Sequence, residues 1–242
     1  MDYALISETG TRDNNEDSVA VLETDAGSLF VVADGLGGHG KGEVASALAT
    51  ESFVLDFSDY DGDIDIFLSD AFMNAQNNIM HAQTSQGGKS DDMKTTCVAL
   101  LVADGLVRIG HVGDARAYLF NKNKLKTRTR DHSVVEMLVV SGEIREKHIN
   151  KHPDRNRLLR TMGIEWESPQ YALADDIPLP ECQAFLLCTD GFWELCSEKK
   201  MCAYLKKSKT AKEWLDLMTD EVEKNGQGND MDNYTAIAVL SK

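Results

Sequence analysis

A chain of 242 residues is long enough to bury a full core, as one large domain or two small ones, and it contains no 18-residue apolar run that would span a membrane. Forty acidic residues against 25 basic ones give a formal charge of −15, which disfavours nucleic acid and anionic membrane surfaces as partners. The five cysteines (97, 182, 188, 196 and 202) are an odd set without C-x-x-C spacing, and Met1-Asp2-Tyr3-Ala4 lacks the regions of a signal peptide; buried, reduced thiols and a cytoplasmic setting are expected.

The first stretch with chemical character is Gly10-Thr11-Arg12-Asp13-Asn14-Asn15-Glu16-Asp17. Residues 17–22 alternate as a strand does, 23–27 make a turn, and 28–33 form a buried apolar run that stops on Asp34 and opens into a glycine-rich loop through Gly42. A hairpin centred on residues 25 and 26 sets Asp17 opposite Asp34 at its open end, with Cβ atoms roughly 5 Å apart. Two carboxylates so close repel unless one is protonated or a cation lies between them, and hard divalent ions take such oxygen ligands. Glycines after Asp34 let the backbone approach an ion or a phosphate. Read alone, Asp34-Gly35 serves equally well as a turn, and Arg12 as a surface arginine; five residues ahead of Asp17, Arg12 is also within reach of a phosphate, which its planar fork fits.

Helical spacing then predicts helices over 43–57 and about 64–83, separated by the acidic, solvated connection Asp59–Asp63 and followed by a loop over 85–92. Residues 95–103 and 106–112 read as strands joined by the two-residue turn Asp104-Gly105. Asp114 again follows a strand beside a glycine, which makes it a further ligand candidate. A second hairpin turns about 121–124, and Asp131 or Ser133 caps a short helix through Val140 that Gly142 stops. His132 reads as a capping or packing residue. Residues 143–161 are polar and rich in basic residues, a candidate mobile flap or a face for a phosphorylated substrate.

After the rigid linker 175–181, Phe185–Cys188 repeats the opening grammar, a buried strand followed by Asp190-Gly191. Helical patterns cover 192–205 and 211–224, and the closing strand over 234–240 carries Asp232 at its start. One carboxylate closes a strand and the other opens one, so antiparallel neighbours bring Asp190 and Asp232 to a single sheet edge.

Arg12-x-x-Asn15-Glu16-Asp17, Ala33-Asp34-Gly35-Leu36-Gly37-Gly38-His39, Gly113-Asp114-Ala115-Arg116-Ala117-Tyr118, Asp131-His132-Ser133, His152-Pro153-x-Arg155-Asn156, Thr189-Asp190-Gly191 and Asp232-Asn233-Tyr234-Thr235 follow one another in order. Together they resemble the bacterial PP2C-type (PPM family) serine/threonine phosphatases, over nearly the whole chain and in the form that carries only the catalytic domain. The resemblance implies an α+β fold, a four-layer α-β-β-α sandwich of two antiparallel sheets flanked by antiparallel helix pairs, as one domain over 1–242. It implies two Mn²⁺ or Mg²⁺ ions, with Asp34 between them, the Gly35 carbonyl on one, and Asp190 and Asp232 on the other. Glu16 and Asp17 would act through water, Arg12 would bind the substrate phosphate, and His39 matches a histidine proposed as general acid. A third ion matches Asp114 with Asp190, and Glu194 stands where some relatives carry an aspartate for it. Lys94 stands where relatives commonly have glycine, outside the metal set.

The implied chemistry is hydrolysis of phosphoserine and phosphothreonine in proteins by a water that bridges the two cations. The cations neutralise the phosphoryl oxygens, and no protein nucleophile is needed. The expected partners are phosphorylated proteins and a cognate Ser/Thr kinase, with no nucleic acid and no membrane, and the expected state is a monomer. The competing readings are a non-catalytic phosphoprotein adaptor of the same fold, which the intact Asp34, Asp190 and Asp232 oppose, and a partner-switching phosphatase of a sigma-factor pathway.

Overall fold

Strands that are apolar on both faces need a covering layer on each side. β3 (Gly27–Leu36) turns Leu29, Val31 and Ala33 toward two helices, and Phe30 and Val32 toward a second sheet. The computed structural model describes residues 1–36, 41–60, 63–85 and 93–241. His39 with its flanking glycines, and most of the loop expected over 85–92, lie outside the described residues.

One sheet runs β1 (Asp2–Glu8), β12 (Tyr234–Leu240), β11 (Ala184–Cys188), β7 (Arg116–Asn121) and β8 (Lys124–Arg128). The other runs β10 (Ile177–Pro178), β6 (Leu106–Val112), β5 (Cys97–Ala103), β3 and β2 (Asp17–Thr24). The two-residue strands β4 (Lys94–Thr95) and β9 (Ala172–Leu173) pair with β3 and β6. Every pairing is antiparallel. Between the sheets lies an apolar layer that includes Phe30, Val98, Leu100, Leu119, Phe185, Leu187, Ile237 and Val239. α1 (Gly42–Ser58) and α2 (Phe67–Ser85) cover the second sheet through Ala45, Ala49, Phe53, Phe72 and Ile79. α5 (Glu198–Leu205) and α6 (Ala211–Gly226) cover the first through Met201, Leu205, Trp214, Leu215 and Met218. These are the four layers expected of an α-β-β-α sandwich.

Local chemistry accounts for the turns. Asp104 and Gly105 have φ of 53° and 72°, and Lys122 and Asn123 of 49° and 58°, as two-residue hairpin turns require. The second hairpin is therefore tighter than the four-residue turn expected over 121–124. Ser133 caps α3 (Val134–Val140) by accepting the Glu136 amide, and Gly142, at φ 81°, ends it.

One strand is added and two helix expectations are corrected. β1 was not anticipated: its alternation is real, but Tyr3 and Leu5 stay 40% and 47% exposed while Ala4 and Ile6 pack against the helices. α2 begins at Phe67 rather than near Ile64. The helix expected over 192–205 is two, α4 (Asp190–Trp193) and α5, because Ser197 is extended and restarts the helix in front of Glu198. Among the described residues no helix is long and apolar enough to cross a membrane, and the five cysteines are all free.

Candidate active site

The hairpin register is the one the residues predicted: Asp17 pairs with Asp34. Asp34 ends the fully paired part of β3, where its backbone is held on both sides. The Thr96 amide (2.8 Å) and the Thr95 hydroxyl (2.8 Å) donate to its carbonyl, and its own amide donates to Thr96 Oγ1 (3.1 Å). Gly35 must be glycine, since a Cβ there would lie 2.4 Å from the Gly42 backbone and 2.5 Å from the Glu16 carbonyl. The same close approach sets the Glu16 carboxylate against Gly42, where a Cβ would come within 2.5 Å of Oε2.

From the other sheet, β11 delivers Asp190 as the first residue of α4, and β12 begins two residues after Asp232. Thr189 pins the two sheets together: its hydroxyl donates to Asp17 Oδ2 (2.9 Å) and accepts the Thr235 amide (3.0 Å). Asp114 follows Gly113, which has φ 94°. The Asp114 carbonyl accepts Trp193 Nε1 at 3.0 Å.

Arg12, Glu16, Asp34, Gly35, Asp114, Asn156, Leu158, Asp190, Asp232 and Asn233 are among the residues that line one open cavity of about 600 Å³. Of the expected metal-site residues only Asp17 does not line it; it sits behind Asp34, tied to Thr189. Arg12 Nη2 donates to Asp232 Oδ2 at 2.9 Å, with both side chains about half exposed (48% and 46%).

The electrostatics of this cavity are one-sided. Burial, followed by repulsion from Asp190, Asp17, Asp114 and Asp232, holds the Asp34 carboxyl well above the usual carboxylate range. Burial and then Asp114, Glu194, Asp232 and Asp17 do the same to Asp190. Asp114 is pushed up to about 7, by burial and then by Asp131. Asp17 is also raised to about 7, burial outweighing its hydroxyl donors. Glu16 is raised by burial and by Glu43. As they stand, no three His, Cys, Asp or Glu side chains among the described residues form a ready ligand cluster. The same carboxylates nonetheless share one cavity and push one another's pKa values up, and Arg12 pairs with Asp232 while Arg155 pairs with Glu194 nearby. Converging hard oxygen donors with excess negative charge fit a divalent cation.

Several supports were not legible from the motifs. Asn233 clasps the N-terminal loop: its Nδ2 donates to the carbonyls of Thr9 (2.8 Å) and Asn14 (2.9 Å), and its Oδ1 accepts the Glu16 amide (2.8 Å). Gly191 makes room for it, because a Cβ would lie 2.1 Å from the Asn233 carbonyl. Arg116 is buried in a two-pronged pair with Asp131 (2.7 and 2.6 Å), and its guanidinium sits 3.5 Å over the Trp193 ring. The one available signal was position: Asn233 and Gly191 each follow an expected ligand, and Arg116 lies two residues after one.

With the geometry established, comparison with known proteins gives its family. The protein phosphatase 2C family model matches residues 7–234. The serine/threonine phosphatase stp of Listeria monocytogenes is 32% identical over 235 residues, covering 94% of this chain and 90% of the relative. The crystal structure of serine/threonine phosphatase Stp1 from Staphylococcus aureus superposes with a TM-score of 0.89 at 28% identity, covering 98% of this chain and 94% of that one. The catalytic domain of the phosphatase PstP, solved with two manganese ions, superposes with a TM-score of 0.79 at 28% identity over 98% and 96% of the two chains. A family model that spans nearly all of the sequence, a relative above 30% identity and a shared four-layer sandwich lead to one conclusion: this chain belongs to the protein phosphatase 2C family.

Proposed function

We propose that the chain is a metal-dependent phosphatase that removes phosphate from phosphoserine and phosphothreonine in proteins, opposing a cognate Ser/Thr kinase in the cytoplasm as a monomer. The observation that carries this reading is the cavity in which Glu16, Asp34, Asp114, Asp190 and Asp232 converge with Arg12 beside them. A relative solved with two manganese ions supports a divalent metal as the group this donor set takes. Asp34, Asp190, Asp232 and the Gly35 carbonyl would hold two ions, Mn²⁺ or Mg²⁺, with Glu16 and Asp17 acting through water, and Asp114 with Asp190 would hold a third. Divalent ions bound there supply charge neutralisation of the phosphoryl oxygens and a water acidic enough to attack at neutral pH.

The rest falls to the protein. Arg12 exchanges one of its donors from Asp232 to a phosphate oxygen, and its fork then orients the dianion. Burial behind Thr189 keeps Asp17 fixed beside Asp34, so the site need not reorganise when charge develops. His39 would protonate the leaving alkoxide, and residues 143–161 would form the flap over a single catalytic domain spanning 1–242. The intact Asp34, Asp190 and Asp232 count against a non-catalytic adaptor. The test is hydrolysis of p-nitrophenyl phosphate and of a phosphothreonine peptide with Mn²⁺. Activity lost on chelation and in Asp190→Asn supports the reading; activity that survives both refutes it.

A further inference from the structure

In a chain with 40 acidic side chains, an arginine without a carboxylate partner is out of place. Five of the nine arginines are paired: Arg12 with Asp232, Arg108 with Asp65 and Asp176, Arg116 with Asp131, Arg128 with Glu136 and others, and Arg155 with Glu194. The other four, Arg130, Arg145, Arg157 and Arg160, are exposed and form no ion pair among the described residues. All four lie between positions 130 and 160.

Two of them, Arg157 and Arg160, border the catalytic cavity. Leu158, between Arg157 and Arg160 in sequence, lines it. The segment is fixed there by backbone bonds: the Val134 amide donates to the Arg157 carbonyl (2.9 Å), and the Leu159 amide to the His132 carbonyl (2.8 Å). The His132 amide in turn donates to the carbonyl of Gly113, the residue before Asp114 (2.8 Å). His111 backs this wall, its ring stacked on His132 at 4.6 Å, whereas Arg130 lines a separate pocket with Glu136, Glu146 and Glu198. The positive field of Arg160 reaches both histidines; burial first, then that field, holds His111 below its ordinary value, and burial, His111 and Arg160 bring His132 down to about 3.

We propose that Arg157 and Arg160 form a docking strip beside the cavity for an acidic segment of the phosphoprotein substrate, so that the enzyme prefers phosphoresidues flanked by Asp or Glu. The proposal rests on the phosphatase reading above and adds a substrate class to it. An acidic segment is repelled over most of a surface that carries −15 overall, and this strip is where that repulsion reverses. The field therefore both selects the substrate and sets its register, with the phosphate toward the cavity and its acidic neighbours on the arginines. A long polyanion such as nucleic acid would extend past the strip onto the acidic surface, which is why a short peptide segment is the better fit.

The test uses two phosphothreonine peptides that differ only in flanking Asp or Asn residues. It is read both as the ratio of kcat/KM values with Mn²⁺ and as the ratio of affinities by fluorescence anisotropy. Two exposed ion pairs predict a preference of about fivefold for the acidic peptide, shrinking as salt is raised. The double variant R157E/R160E should abolish or invert both ratios, and a ratio cancels any general loss of fold or activity. Equal handling of the two peptides by the wild type, a ratio unchanged in the variant, or an oligonucleotide of matched charge competing as well as the acidic peptide overturns the proposal. Failure to hydrolyse p-nitrophenyl phosphate with Mn²⁺ would sink the phosphatase reading instead, and the anisotropy ratio would still test the strip.

Discussion

Replacing Asp114 by asparagine should stabilise the metal-free protein. Asp114 is buried, and its carboxyl is raised to about 7 from an ordinary 3.8, by burial and then by the charge of Asp131. A folded-state pKa above the unfolded one means that the folded protein holds the proton more tightly. The resulting destabilisation is small below about pH 4, accumulates as pH rises, and is complete above about pH 7. At 1.36 kcal/mol per pH unit the ceiling is about 4 kcal/mol at pH 8, falling to about 1 kcal/mol at pH 4.5. Asparagine keeps the shape and part of the desolvation cost, so about 2 kcal/mol should be recovered at pH 8. For a chain of this size that raises the unfolding midpoint by about 4–8 °C. The assay is thermal unfolding of wild type and Asp114→Asn in EDTA at pH 8 and pH 4.5, with a clear gap expected at the first and little at the second. A variant midpoint below the wild type at pH 8 would refute the account of a buried carboxylate held beside the charge of Asp131.

Three further outcomes follow from named contacts. Arg116→Met strands the buried Asp131 carboxylate and should cost about 3–5 kcal/mol in urea unfolding; a loss under about 1 kcal/mol would contradict a structural role for the pair. Gly191→Ala places a Cβ where the Asn233 carbonyl now sits, and the displaced neighbour Asp232 should cost about a hundredfold in kcat with Mn²⁺; activity within about twofold of wild type would show that the close approach is dispensable. Arg12→Ala should lower kcat/KM for p-nitrophenyl phosphate about ten- to a hundredfold through one lost charge-assisted contact, and an unchanged value would remove Arg12 from substrate binding.

Much of the site was legible because its constraints are local. The hairpin from Asp17 to Asp34 has its register set by a short turn at one end and a buried face along its length, so counting residues sufficed. Asp190 and Asp232 needed only the rule that antiparallel neighbours share an edge, and β11 pairs with β12 accordingly. What stayed hidden depends on partners far along the chain. The Glu16 amide finds the Asn233 side chain 217 positions away, and no local pattern encodes that. Asp131 and Ser133 are equally good caps by composition, and only the buried Arg116 decides between them, drawing Asp131 inward and leaving Ser133 the helix. β1 escaped notice because an edge strand can leave alternate apolar residues such as Leu5 half exposed.

The division of the cavity carboxylates between the sheets has a mechanical consequence. Glu16, Asp17 and Asp34 belong to the β2–β3 hairpin, while Asp190 and Asp232 belong to the strand ends of the other sheet. Their spacing therefore depends on how the two sheets stack, through Phe30, Val32, Phe185, Leu187 and Ile237. Mutual repulsion among the carboxylates pushes the sheet ends apart, and the bonds from Thr189 to Asp17 and from Glu16 to Asn233 oppose that push from opposite directions. A cation shared by both halves would replace the repulsion with attraction across the same gap. Metal binding and sheet packing would then be linked equilibria, so a cavity made in the inter-sheet core, far from these carboxylates, would lower metal affinity to the extent that the ion holds the sheets together.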